Sequence, residues 1–302
     1  LIVGDGRDLC SVYLKEVACL AGHDVMQLEE GELGETWALD LEVNNGTSGG
    51  IEVRGRRLNL SSVDAAFVRL SPDPGLPTQL CGLDDRAQEF LVLERRTGLQ
   101  WFLDTAPFVV MNRPSAGRCN GSKPLHMRNL QALGLQVPDW IVTNDAAEAV
   151  EFARASADGA IYKACSGLRC QVRRVDHELF TRLRAGTTPV LLQRFVPGYD
   201  VRVHTVGSRS FAARIDSEDI DYRFGTPVSY ARVDLPPEIA GKCEKAVGAL
   251  GLVIGGIDFR VGADGGWWCL EVNPVPTFLP YEIGAGLPIA QAIVEHAEAL
   301  AR

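Results

Sequence analysis

IGGIDFRVGADGGWWCLEVNP, residues 254–274, is the stretch from which the rest of the chain can be read. It divides into two alternating runs, GIDFRV and WWCLEVN, around Ala263-Asp264-Gly265-Gly266, which can supply the φ > 0 positions of a tight hairpin turn. On a strand, residues two apart project to one face, so Glu271 and Asn273 point together, and Asp258 on the partner strand can face them. Two carboxylates and an amide oxygen are hard ligands that suit Mg²⁺, with Mn²⁺ as a substitute. Mg²⁺ takes one or two protein carboxylates and shares its other positions with water and phosphate. The competing reading is the polar face of an exposed hairpin. Against it stand the Ile, Phe, Trp and Leu neighbours, because a carboxylate in apolar surroundings requires a partner.

Around this hairpin, 302 residues are enough for two or three modules with a sizeable core. With 39 acidic against 30 basic residues the formal net charge is −9, which opposes non-specific attachment to nucleic acid or to an anionic membrane. No apolar run approaches the roughly 18 residues of a membrane span. The eight cysteines are scattered with no CxxC pair, which gives neither zinc-site spacing nor a disulfide framework. Reduced thiols and a cytoplasmic location are therefore expected.

The fold class expected is α/β. LIVGDG followed by SVYLKEVACLAGHDV reads as strand, glycine turn and amphipathic helix. A hairpin region follows, with IEVRGRRLNL as its clearest strand, then the strand DAAFVRL, a helix from residue 84 to 103 and the strand APFVVMNRP. These make residues 1–112 a small α/β domain. Residues 113–188 form a second module: the helix SKPLHMRNLQALG, the strand VPDWIVT, a helix capped by Asp145 with Glu148 placed as in a capping box, and the strand AIYKA. Residues 189–302 are the third, with strands VLLQRF, DVRVHTVG and SFAARID, a helix near residues 237–250, the hairpin, and a terminal helix.

Several basic residues fit phosphate chemistry. Lys163 lies inside an apolar strand, where an ammonium is costly unless an anion neutralises it. Lys123 opens a helix, a position suited to phosphate. Arg202 and His204 share a strand face, and Arg214 and Arg223 sit on later strands or their ends. Arginines near a carboxylate-bound Mg²⁺ would form a charge clamp for phosphoryl transfer. Two other matches fail on context. Residues 46–50 fit G-x-S-x-G, yet a strand follows where a helix is required. Gly4-Asp5-Gly6 begins a dinucleotide fingerprint, but Leu9 occupies its third glycine position.

In order along the chain, NGSKPLHMRNLQALGLQVPDWIVTND, AIYKACSG, LLQRFVPGYDVRVHTVG, IDYRF, GGIDFR and WWCLEVNP resemble the ATP-grasp superfamily. Within it, the chain is similar to the branch of the ribosomal-protein glutamate ligase and of the ligases that cross-link microviridin-type peptides. The resemblance covers about residues 112 to 302. It implies an N-terminal α/β domain followed by two α+β subdomains that clasp ATP. By the same resemblance, Lys123 and Lys163 match the two ATP-phosphate lysines, and Ser166 and Gly167 belong to the loop that covers the phosphates. Gln193, Arg194, Phe195 and Val196 match the adenine-holding hinge, and Asp200 the acid near the ribose. Arg202, Arg214 and Arg223 fall at basic positions near the triphosphate or an acyl-phosphate, and Asp258, Glu271 and Asn273 at the Mg²⁺ ligands. Two departures stand out. The phosphate loop, residues 166–170, carries one glycine where many relatives have more, and the hinge begins with Gln193 where an acidic residue is common.

The function expected is an ATP-dependent ligase that joins a carboxylate to an amine, from a small molecule or a peptide. An ester- or amide-forming peptide macrocyclase is the alternative within the fold. A non-catalytic nucleotide binder and a nicotinamide oxidoreductase built on the N-terminal turn are alternatives of other classes. Neither nucleic acid nor a membrane is expected as a partner, and self-association is left open.

Overall fold

The computed structural model describes residues 1–302 except 44–45, 72–76, 168–170, 185–187 and 218–228. The first unit contains β1 (Ile2–Gly4), α1 (Leu9–Leu20), β2 (Gln27–Glu29), β3 (Trp37–Val43), β4 (Thr47–Val53), β5 (Arg56–Asn59), β6 (Ala65–Arg69), α2 (Asp85–Thr105) and β7 (Val109–Met111). Its main sheet is parallel, in the order β2-β1-β6-β7. Both helices start on an aspartate: Asp8 accepts from the Ser11 amide at 2.7 Å and Asp84 from the Ala87 amide at 3.1 Å. The run IEVRGRRLNL, expected as one strand, is two. Arg54 (φ 49°) and Gly55 (φ 78°) turn the chain, and β4 pairs back onto β5. Positive φ at both central positions is the type I′ hairpin requirement, which Arg54 conceals in the sequence.

The middle unit contains α3 (Pro114–Gly117), α4 (Lys123–Ala132), β8 (Trp140–Thr143), α5 (Ala146–Ala155), β9 (Ala160–Lys163), β10 (Arg173–Arg174), α6 (His177–Arg184) and β11 (Val190–Arg194). Its sheet runs β10-β9-β11-β8 and is antiparallel. Because β11 pairs with β8 and β9, the middle sheet extends to residue 194, past the expected boundary at 188. Helices α5 and α6 pack together, and Ala149, Leu179, Leu183 and Leu192 form a small buried cluster. The sequence reading missed α6, an octapeptide with three charged residues whose buried Leu179 and Leu183 are four apart. Asp145 caps α5 through the Ala147 and Glu148 amides. Its own N–H goes to Thr143 Oγ1 at 2.9 Å, so Glu148 does not close a capping box.

The last unit contains β12 (Gly198–Val206), β13 (Arg209–Asp216), β14 (Ser229–Val233), α7 (Pro237–Ala249), β15 (Ile254–Gly262), β16 (Trp267–Asn273), α8 (Leu279–Ala285) and α9 (Ile289–Ala301). The sheet is antiparallel, in the order β14-β13-β12-β15-β16. Helices α4 and α7 cover one face, where Met127, Val203, Val247, Ile257, Phe259 and Val272 are buried. Each such side chain contributes about 1.5–3 kcal/mol by leaving water. Against the first unit, α9 packs on α1, and Leu14, Phe67, Phe278 and Ile293 share one core. Gly265 makes the β15–β16 turn at φ 79°, and Asp264 Oδ1 accepts from the Gly266 amide at 3.0 Å.

Candidate functional site: an oxygen and lysine cluster between three sheets

Register puts the charged residues in rows. Arg202 on β12 is opposite Asp258 on β15, which is opposite Glu271 on β16. The next row holds His204, Gly256 and Asn273. Since Ile257, Phe259 and Val272 face the core, Asp258, Glu271 and Asn273 face the other way, into a cleft of about 1500 Å³ that the main sheet of each unit helps to line. One local irregularity makes this work. The register shifts between Asp258 and Phe259, so Phe259 is opposite Cys269 and Leu270 is the extra residue. Strict alternation would put Cys269 on the face of Glu271; the bulge sends it into the core.

The carboxylates are held by cations. Arg202 Nη1 donates to Asp258 Oδ2 at 2.7 Å, with the arginine almost fully buried. Lys123 Nζ is 3.3 Å from Glu271 Oε2, and Asn120 Nδ2 donates to Glu271 Oε1 at 2.5 Å. Burial opposes ionisation of Glu271. The charges of Lys123 and Lys163 and the Asn120 amide outweigh it and hold the carboxyl at about 2. Lys163, at the end of β9, donates to Gln193 Oε1 at 3.1 Å. Asp200 accepts from Arg260 Nη1 at 2.8 Å across the register pair.

Two buried side chains set the hairpin from behind. His126 Nδ1 lies 3.0 Å from the Cys119 carbonyl, and the Val272 amide donates to Nε2 at 3.0 Å, which requires the neutral Nδ1–H tautomer. Burial lowers the His126 pKa and favours that form. Asn112 donates to the Ile254 and Pro274 carbonyls, both at 2.6 Å, and accepts from the Val253 and Ile254 amides. It thereby ties the start of β15 to the end of β16.

The structure thus brings Lys123, Lys163, Ser166, Gly167, Gln193, Asp200, Arg202, Asp258, Glu271 and Asn273 to one cleft. It does not bring Arg214 there. Arg214 is in register with Val201, which faces the core side, whereas Ala213 is the partner of Arg202. Arg214 is exposed on the opposite face, 2.7 Å from Asp216 and 4.5 Å over the Tyr199 ring. Arg223 and Leu168-Arg169-Cys170 of the phosphate loop lie outside the described residues. Of the four hinge residues, Gln193 lines the cleft. Arg194 lies over Trp268, Phe195 packs under Arg174, and the Val196 carbonyl accepts from Arg260. The sequence reading missed Asn120 and Arg260. Arg260 carried a signal, two residues from Asp258 on the same strand face; Asn120 sits in a short turn without periodicity.

The donor set can be tested against a metal nucleotide. Among the described residues no group of three His, Cys, Asp or Glu could hold a metal, and the hairpin's own donors are the two carboxylates Asp258 and Glu271 and the Asn273 amide. A small, hard ion that keeps water and phosphate oxygens in its shell fits such a set. Asn120 Oδ1 and Gln193 Nε2 are buried at the cleft without a hydrogen-bond partner, an acceptor and a donor that a polar ligand would satisfy. No helix among the described residues is long and apolar enough to cross a membrane.

No protein-family model and no curated protein matches the chain. Solved structures do. Macrocyclase MdnC from Microcystis aeruginosa MRC, bound with precursor peptide MdnA, is 23% identical with a TM-score of 0.85, over 99% of this chain and 98% of that one. ATP-grasp ligase PsnB, complexed with minimal precursor, Mg and ADP, is 25% identical with a TM-score of 0.80, over 100% and 96%. A RiPP-associated ATP-grasp ligase from Chryseobacterium gregarium, in complex with ADP and a leader and core peptide, is 18% identical with a TM-score of 0.83, over 99% and 95%. The chain has the ATP-grasp fold.

Proposed function

We propose that the chain is an ATP-dependent ligase that activates a substrate carboxylate as an acyl-phosphate and joins it to an amine of an amino acid or peptide, releasing ADP and phosphate. The observation that carries this reading is the row Arg202, Asp258, Glu271 on three adjacent strands, in one cleft with Lys123 and Lys163. Asp258, Glu271 and Asn273 would hold Mg²⁺, which when bound would offset the negative charge of the phosphate oxygens. Lys123 and Lys163 bind the triphosphate, Ser166 and Gly167 cover it, and Gln193 and Asp200 address base and ribose. A substrate carboxylate oxygen bonds to the γ-phosphorus as the bond to ADP breaks. The amine then bonds to the acyl carbon, phosphate departs and the amine proton passes to solvent. Arg202 stabilises the charge that develops, and no covalent enzyme intermediate is needed. Arg223 keeps the part its sequence position implies, and Arg214 has none.

Ring closure within one peptide, as an ester or an amide, is a second reading. The likeness to MdnC, a macrocyclase that holds a precursor peptide, favours it. Incubation with ATP, Mg²⁺ and pools of amino acids and peptides tests both. Substrate-dependent ADP together with a product that has lost water and carries no phosphate is expected. AMP, or a stable phosphorylated product, would overturn the ligase reading.

A further inference from the structure

Asn120 had no part in the site as read from the sequence, yet its side chain reaches the hairpin and its carbonyl abuts the phosphate loop. Its Nδ2 donates to Glu271 Oε1, while Lys123 addresses Oε2, so the two carboxylate oxygens are held by separate donors. The amide orientation is fixed by chemistry, since Oδ1 against a carboxylate oxygen would repel. Oδ1 is then left buried in the cleft with no hydrogen-bond partner. The three residues that follow Asn120 pair with the phosphate loop. The Gly167 amide donates to the Gly121 carbonyl at 3.0 Å, the Lys123 amide to the Cys165 carbonyl at 2.8 Å, and Ser122 bridges to Ser166. A Cβ on Gly167 would lie 2.7 Å from the Asn120 carbonyl oxygen, so the loop's one described glycine is required by contact with Asn120.

We propose that Asn120 is a positioning residue of the metal site, orienting Glu271 and linking it to the phosphate loop; the inference rests on the ligase reading above. A bound triphosphate would compete for Lys123. Asn120, which has no charge to neutralise, would keep Oε1, and Oε2 would be available to a cation. The unpartnered Oδ1 points to a donor delivered by the ligand, such as a water bound to the metal. Seating of Ser166-Gly167 on the nucleotide and orientation of the carboxylate are thereby one event.

The test uses the full chain with Mn²⁺ as a spectroscopic probe and a non-hydrolysable ATP analogue. Electron paramagnetic resonance gives the Mn²⁺ dissociation constant with the analogue present; calorimetry in chelator gives metal-free nucleotide affinity. Asn120→Ala and the near-isosteric Asn120→Leu are both expected to weaken Mn²⁺ by about 10-fold, the lower end for loss of a residue that orients a metal ligand. Metal-free nucleotide affinity is expected to be unchanged. Gly167→Ala is expected to move the Mn²⁺ constant in the same direction by less. Wild-type Mn²⁺ affinity in either Asn120 variant, or equal loss of Mn²⁺ and metal-free nucleotide, would overturn the positioning role. Absence of analogue-dependent Mn²⁺ binding in the wild type would instead sink the ligase reading itself.

Discussion

In the last sheet, every cleft-facing carboxylate has a cross-strand neighbour and a fixed partner: Arg202 on Asp258, Asn120 and Lys123 on Glu271, and Arg260 on Asp200. The strands beneath are up to nine residues long, and helices α4 and α7 seal the face behind them. The middle sheet is built from strands of two to five residues over a small buried cluster, with Lys163 and Gln193 bonded to each other. The proposed metal platform is therefore held in place by contacts within the protein. The proposed nucleotide wall is joined to it through backbone contacts at residues 120–123 and 165–167, through Leu191 in the shared core and through Arg194 over Trp268. Local opening follows buried contact, so the middle unit is where movement over a nucleotide is expected.

The hardest blow to this contrast is Glu271→Gln. It keeps shape and removes one of two carboxylates, so turnover is expected to vanish with the fold intact, read by ADP release and circular dichroism. Normal activity in the folded variant would remove the metal platform from the account. Next in size is Leu192→Ala, which opens the small middle cluster and is expected to cost about 2–5 kcal/mol. Hydrogen exchange should then rise in β9 and β11 while β15 and β16 stay protected; equal loss in both sheets would erase the distinction. Lys163→Ala and Lys123→Ala should each weaken ATP binding by about 1.5–3 kcal/mol, the range for charge-assisted hydrogen bonds. Their effects should be less than additive in a double mutant, because both address one triphosphate. Calorimetry showing unchanged affinity in both would separate the lysines from the nucleotide.

How far these two regions could be read beforehand follows from their physics. The hairpin announced itself because period-two alternation, a glycine turn and acids among apolar residues are all local signals. Its bulge at Leu270 was silent, since nothing in WWCLEVN marks which residue is extra. Lys163 stood out as a charge inside an apolar strand. Arg214 was misplaced because strand membership was legible and register was not: a shift of one residue sends a side chain through the sheet. The end of the middle sheet at Arg194 was hidden for the same reason, as β11 and β12 follow one another closely and their partners are distant in sequence. Asn120 and Asn112 act through side-chain bonds to strands remote in sequence, which no local pattern encodes.

Acid should probe the platform in two stages. Burial lowers the pKa of His126, and burial followed by the Arg202 charge lowers that of His204 well below its ordinary value. The unfolded chain therefore takes up these protons first, near pH 6.5, so their contribution is complete above that pH and is lost as pH falls below it. Glu271, held at about 2 against an ordinary 4.5, contributes stability that is present above 4.5 and lost as pH falls toward 2. Thermal midpoints should thus decline first below about pH 6.5 and again below about pH 4.5. His126→Gln should flatten the first decline, in part because His204 remains. An unchanged first stage in that variant would assign it elsewhere.

The smallest effect sharpens the contrast between the two faces of one sheet. Arg202 and Arg214 lie on neighbouring strands, one residue out of register, and sequence reasoning gave them the same work. Arg202 is buried beside Asp258; Arg214 is about half exposed and pairs with Asp216, itself about half exposed. An exposed pair of this kind is worth about 0–1 kcal/mol, because water and salt screen it and ordering two side chains costs entropy. Arg214→Ala should therefore move stability by no more than about 0.5 kcal/mol, as other surface changes do, and leave ATP affinity and turnover at the wild-type level. Arg202→Ala, by contrast, strands Asp258 without its guanidinium and should abolish turnover. Parallel kinetics on the two variants decide the matter. A large loss of turnover in Arg214→Ala would mean that the back of the sheet takes part in the chemistry, and the register could then no longer be used to sort its arginines.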